Sequence, residues 1–182
     1  MKDVRWSLWI MFYTVLLCGC GNPGASSVKT NEKVFDLPTY FDTEIEQLAA
    51  RAPEIEKTVF TGNESETKTV QIRDWSRELS AFAAIDINKP AYQGYVKKDS
   101  SEGFVRLYVD NPQLDVSEVI IRYDAQNVPI EIQITRHIQN FLYTTSEKLS
   151  YRKNTSYRIE KDQDVWVLGS NNYVIEGKFG NN

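Results

Sequence analysis

Cysteine and histidine are nearly absent from this chain of 182 residues: there are two cysteines, Cys18 and Cys20, and one histidine, His137. That count excludes a zinc site built from His and Cys, which draws on about four such ligands. No apolar run reaches the roughly 20 residues that a bilayer-spanning helix needs. Basic residues are outnumbered, 21 against 25 acidic, for a net charge of −4. This argues against nucleic acid as a partner and gives no basic patch for anionic lipid headgroups. No Gly-x-Ser-x-Gly elbow offers a serine nucleophile, and no Gly-rich loop offers a phosphate cradle. No cofactor is expected.

What is present begins with an address. Lys2 and Arg5 give a short positive end, and Trp6 to Leu17 is apolar except for Ser7 and Thr14. Such a run has the length of a signal-peptide core rather than of a membrane span. Leu17-Cys18-Gly19-Cys20 then follows. This stretch resembles the lipobox of bacterial lipoproteins, with leucine three positions and glycine one position before the cysteine. The resemblance covers only about the first twenty residues. It implies that residues 1–19 are removed as a signal peptide and that Cys20 carries diacylglycerol, with a further palmitate-type chain on its amino group. The membrane is then a partner through the N-terminal lipid, because two or three acyl chains hold far more firmly than the reversible grip of one. Gly21 and Asn22 follow the cysteine where aspartate is associated with inner-membrane retention. The resemblance thus implies the outer membrane, facing the periplasm.

Two consequences follow for the mature chain. It has no free thiol and no disulfide, so an ordinary core must hold it together. Residues 21–31, rich in Gly, Ser, Asn and Thr, read as a flexible tether, which leaves residues 32–182 as one domain.

In that domain Asp36 caps a helix with Pro38 in its first turn, and Leu37, Phe41, Ile45 and Leu48 form one apolar stripe ended by Pro53. Residues 54–60 and 65–73 read as a hairpin turning at Gly62-Asn63. Asp74 caps a second helix from Trp75 to about Ala84. From Ala91 onward strands follow one another. Val105, Leu107 and Val109 alternate with Phe104, Arg106 and Tyr108; Val119, Ile121 and Tyr123 with Ile120 and Arg122; and Ile130, Ile132 and Ile134 with Glu131, Gln133 and Thr135. Residues 141–151, 157–161, 165–168 and 173–179 continue the series. The expected links are polar: Asn111-Pro112, residues 125–127, Asp162-Gln163-Asp164 and residues 169–172. Short links favour antiparallel neighbours. The expected fold is α+β, a curved antiparallel meander with two helices covering one face or closing one end.

Few residues suggest chemistry. By strand parity His137 falls on the polar face, beside Arg136, where a solvated histidine needs no special role. Asp110-Asn111 with Asp115, and Asp162 with Asp164, are the nearest approach to calcium ligands, yet their spacing suits turns better. No metal site is expected. Glu44 and Glu46 lie two apart on a helix and do not face each other. Eight tyrosines are spread from Tyr92 to Tyr173, with Trp166 among them. They suit half-buried sheet surfaces, or line a concave face for an apolar or sugar ligand.

Three functions compete. The first is a lipid-anchored periplasmic module that binds an envelope protein or serves assembly. The second is a carrier of an apolar ligand in a cavity lined by Ile132, Ile134 and Tyr143. Small lipoproteins that receive lipidated cargo at the outer membrane are similar to this reading in coarse architecture. The third, an envelope-polymer hydrolase, would need two carboxylates brought together in a cleft. With its ending Tyr173-Val-Ile-Glu-Gly-Lys-Phe179, the domain also resembles small Gram-negative envelope lipoproteins, a resemblance that brings no activity with it.

Overall fold

The computed structural model describes residues 28–29, 33–62 and 64–180. The expected signal peptide, Cys20 and most of the expected tether lie outside the described residues. Two residues of that tether stretch are described, and they form the short strand β1 (Val28–Lys29), paired with β4.

Helix α1 (Leu37–Arg51) starts where the Asp36 carboxylate accepts the Thr39 N–H at 3.1 Å, and it ends at Ala52 in the left-handed region just before Pro53. Leu37, Phe41 and Leu48 are fully buried along one stripe. Strands β2 (Glu54–Thr61) and β3 (Glu64–Gln71) form the expected hairpin, with Gly62 at φ 58° in its turn. The expected second helix is two single turns, α2 (Trp75–Glu78) and α3 (Ser80–Ala83), broken at Leu79. Asp74 caps α2 at the Arg77 N–H, while the Ser80 hydroxyl donates to the Arg77 carbonyl at 2.8 Å. Each serine or aspartate here offers the backbone a competing partner. A 3-10 turn at Pro90–Tyr92 replaces strand where the sheet was expected to begin.

The remaining strands are β4 (Val96–Ser101), β5 (Phe104–Val109), β6 (Val116–Tyr123), β7 (Pro129–Gln139), β8 (Tyr143–Arg152), β9 (Ser156–Val165) and β10 (Gly169–Phe179). Strands β4 to β10 form an antiparallel meander, and the β2–β3 hairpin joins it beside β10. The sheet is open, with β3 at one edge and β1 on β4 at the other. Along β3 nearly every side chain is exposed, and Glu64, Glu66 and Lys68 are charged. Charges on an edge strand discourage further pairing.

All three helices lie on one face. Leu37, Phe41 and Leu48 of α1, with Trp75, Leu79 and Phe82, share one core with Val119, Ile121, Ile132, Ile134, Leu149 and Tyr151 of the sheet. Each such apolar side chain removed from water contributes about 2 kcal/mol. The Tyr151 ring meets Phe41 edge-on at 5.4 Å and Phe82 at 6.2 Å.

Two expectations about polarity are overturned near the C-terminus. Asp162-Gln163-Asp164 is not a link but part of β9, and residues 169–172 open β10. Conversely, Trp166-Val167-Leu168 is not a strand but the turn between them, and Phe141-Leu142 is the turn before β8. Ladder pairing outweighs composition here: Asp162 lies opposite Asn172 and Asp164 opposite Ser170, with side chains bonded across both pairs.

Candidate functional site

Those two apolar turns lie side by side. Strands β8 and β9 are neighbours, with Tyr143 opposite Val165, so the β7–β8 and β9–β10 turns emerge from the same end of the sheet. Asn140 shapes the first: its carboxamide oxygen accepts the N–H groups of Leu142 at 2.8 Å and Tyr143 at 3.0 Å. This Asx geometry closes the turn through backbone groups, and it leaves Phe141 and Leu142 at the apex. In the second turn the Leu168 N–H donates to the Val165 carbonyl at 3.0 Å. The Trp166 N–H donates to the Leu142 carbonyl at 3.2 Å, tying the turns together. The rings of Phe141 and Trp166 lie 6.2 Å apart.

The five side chains of this tip are open to water: Phe141 is 86 % exposed, Leu142 59 %, Trp166 80 %, Val167 81 % and Leu168 85 %. Scattered surface apolar groups are ordinary, whereas a contiguous patch marks a binding surface. Composition hid this site, because an apolar triplet after a β9-like pattern reads as more strand. The readable signal was parity: Tyr157, Ile159, Lys161, Gln163 and Val165 keep one face without a break, so β9 runs through its aspartates. Trp166 to Leu168 are then left as the turn before Gly169.

The residues singled out for an apolar ligand are placed differently. Ile132 and Ile134 are neighbours on the helix-covered face, 0 % and 1 % exposed, and belong to the packed core. Tyr143 shares their face by parity but is half-buried at the far end of β8, next to the tip. Two clefts are described, and neither is lined by these three residues.

The first cleft, about 450 Å³, lies behind the tip and includes Thr144, Ser146, Asp162, Asp164, Ser170 and Asn172. Asp162 and Asp164 are each taken by a β10 side chain rather than converging on one point. Asp110 is paired with Lys97, and Asp115 with Tyr92 and Arg136. His137 is exposed, its Nδ1 lying 3.1 Å from the Ser146 hydroxyl.

The second cleft, about 660 Å³, runs between α2 and the sheet and holds three carboxylates, the helix cap Asp74 with Glu78 and Glu147. Glu78 and Glu147 are each neutralised by neighbours. Glu78 meets Lys57 at 2.6 Å and accepts the Tyr157 hydroxyl at 2.5 Å. Glu147 lies 3.4 Å from Lys161 and 3.5 Å from Arg136 Nε, an ion-pair contact too long for a good hydrogen bond. Arg136 also reaches Asp115 at 3.3 Å. These alternating charges form a ladder across β9, β8 and β7 that pairs opposite signs, although the buried Arg136 Nε makes no hydrogen bond among the described residues.

Sequence reasoning also missed the deepest charge. Glu44 is 1 % exposed on the buried side of α1. Its carboxylate accepts the Tyr151 hydroxyl at 2.7 Å and pairs with Lys153 at 2.5 Å. Burial, reinforced by Glu44, pushes the Tyr151 hydroxyl far above its ordinary range, and Tyr40 beside it is raised for the same reasons. Both phenols stay neutral, and the contacts of Tyr151 and Lys153 with Glu44 fasten helix to sheet, while the buried Tyr40 hydroxyl makes no hydrogen bond among the described residues. No helix among the described residues is long and apolar enough to cross a membrane. Comparison with known proteins finds no match among family models, curated proteins or solved structures.

Proposed function

We propose that the mature domain is a lipid-anchored envelope module, held through Cys20 at the outer membrane, facing the periplasm, and acting by binding through the apolar tip. The observation that carries this reading is the tip itself. Five large apolar side chains stand in water at two adjoining turns, and exposed apolar area is disfavoured by about 25 cal/mol per Å². Covering that surface with a partner recovers this free energy. The polar groups of the interior are mostly committed to each other, which leaves the tip as the surface most in need of a counterpart.

The anchor and the tip are tested separately. Cys20→Ala should abolish lipid labelling and leave unprocessed precursor. A variant still matured and still membrane-bound would remove the anchor from the proposal. Photocrosslinking from position 167 in cells should trap a partner, lipid or protein. Recovery of only uncrosslinked protein, with the label active, would remove the binding role.

A further inference from the structure

We infer that the cleft between α2 and the sheet is a second binding site, one for an alkyl carboxylate such as a fatty acid. Arg73 and Arg77 take the head of this ligand, and Ile159, Ile175 and Tyr173 take its tail. The site shares no residue with the apolar tip, and the inference goes beyond the reading above.

Charge points to the head. Four cations and three carboxylates line the cleft. Lys57 is held by Glu78 at 2.6 Å, and Lys161 lies 3.4 Å from Glu147. The third carboxylate, Asp74, accepts the Arg77 backbone N–H at 2.9 Å and pairs with neither arginine side chain. The guanidinium groups of Arg73 and Arg77 therefore have no ion pair and no hydrogen bond among the described residues. A lone surface arginine is satisfied by water, but these two line the same concavity. The cleft carries one positive charge in excess, which a single negative charge balances. The guanidinium fork matches the planar two-oxygen head of a carboxylate. A phosphate monoester, at nearly two negative charges near pH 7, exceeds that surplus beside three carboxylates.

The floor points to the tail. Ile159 and Ile175 lie directly opposite each other on β9 and β10, and Tyr173 follows on the same face of β10. Ile159 is buried, while Ile175 and Tyr173 are half-buried. Ala81 of α3 and Ile72 add apolar surface on the helix side. An apolar floor below two unpaired cations complements both halves of an amphiphile, whereas a small hydrophilic anion leaves the floor wet. The volume, about 660 Å³, falls within the roughly 300–1,000 Å³ of small-molecule pockets.

The test uses the full chain held in phosphatidylcholine vesicles and an octanoate bearing a diazirine at its tail. After photolysis, labelled residues are read by mass spectrometry while unlabelled competitors are titrated in. Labelling is expected at Ile159, Tyr173 or Ile175, saturable and displaced by octanoate. Acetate, which lacks the tail, should compete at least about tenfold less well, and octyltrimethylammonium should not compete. Octyl phosphate should compete no better than octanoate. Arg73→Gln and Arg77→Gln should each weaken octanoate by about tenfold or more, the loss of a charge-assisted hydrogen bond. Both side chains are exposed, so these variants should keep the wild-type circular dichroism. Trp166→Ser should leave the labelling unchanged, which separates this site from the tip. Label that octanoate does not displace, or that spreads over the surface, overturns the site. Equal competition by octyltrimethylammonium, or undiminished binding in both arginine variants, overturns the assignment of the head. Equal competition by acetate overturns the tail, and tighter binding of octyl phosphate overturns the carboxylate.

Discussion

Glu44 sits where the helix stripe calls for an apolar residue, and its negative charge is tolerable because Lys153 and the Tyr151 hydroxyl reach it. Removing the cation strands a buried carboxylate, which is far worse than never having had the pair. Lys153→Met should therefore destabilise the domain by about 3 kcal/mol, and Glu44→Leu in the same chain should restore most of the loss. Denaturant midpoints of the two variants check this, and equal destabilisation of single and double variants would refute it. Gly177 answers to a different constraint. A Cβ placed there would lie 2.1 Å from the Tyr157 ring, whose hydroxyl is already tied to Glu78. Gly177→Ala should cost about 3 kcal/mol through overpacking, measurable by thermal melting. Neither residue announced itself in the sequence. A glutamate two from another on a helix looks solvated, and a glycine in a strand looks like a bulge, until the facing element is known.

At the level of elements, helix starts and strand faces were the legible part. Asp36 and Asp74 cap as their positions suggest, and the alternation of Ile130, Ile132 and Ile134 with Glu131, Gln133 and Thr135 puts Ile132 and Ile134 inside, while Ile130 at the start of β7 stays exposed. Strand ends were illegible wherever polarity and pairing disagree. Asp162 to Asp164 remain in β9 because each aspartate finds a β10 partner across the ladder, whereas the apolar Trp166 to Leu168 have none and turn. The candidate site was hidden from composition for this reason, since it consists of residues that composition assigns to strands, and only the parity of β9 pointed to it. A consequence is that the tip adds nothing to folding. Phe141→Ser, Trp166→Ser and Leu168→Ser should each change stability by less than about 0.5 kcal/mol, read from chemical denaturation. A larger loss would mean that these side chains pack on the domain.

For the whole molecule, tyrosine ties the layers. Tyr92, bonded to Asp115, is pushed up to about 12 by burial and by that carboxylate; Tyr40, Tyr151 and Tyr157 are raised further. A group raised in the folded state lends its stability in full below its unfolded value of 10 and loses it above. Stability should thus hold to about pH 10 and fall as pH climbs through 12. Tyrosinate absorbance should rise together with loss of circular dichroism, and ionisation without unfolding would contradict the burial. The strand order has a consequence of another kind, in time rather than in space. The N-terminal hairpin leans on the last strand, with Ile55 opposite Phe179, and Trp75 stacks on Phe179 as well. A chain still emerging has nowhere to dock its first strands. Closure of the sheet on the hairpin therefore waits until β10 has been made, and a polypeptide stopped at Leu168 should stay open to protease throughout its β2–β3 segment.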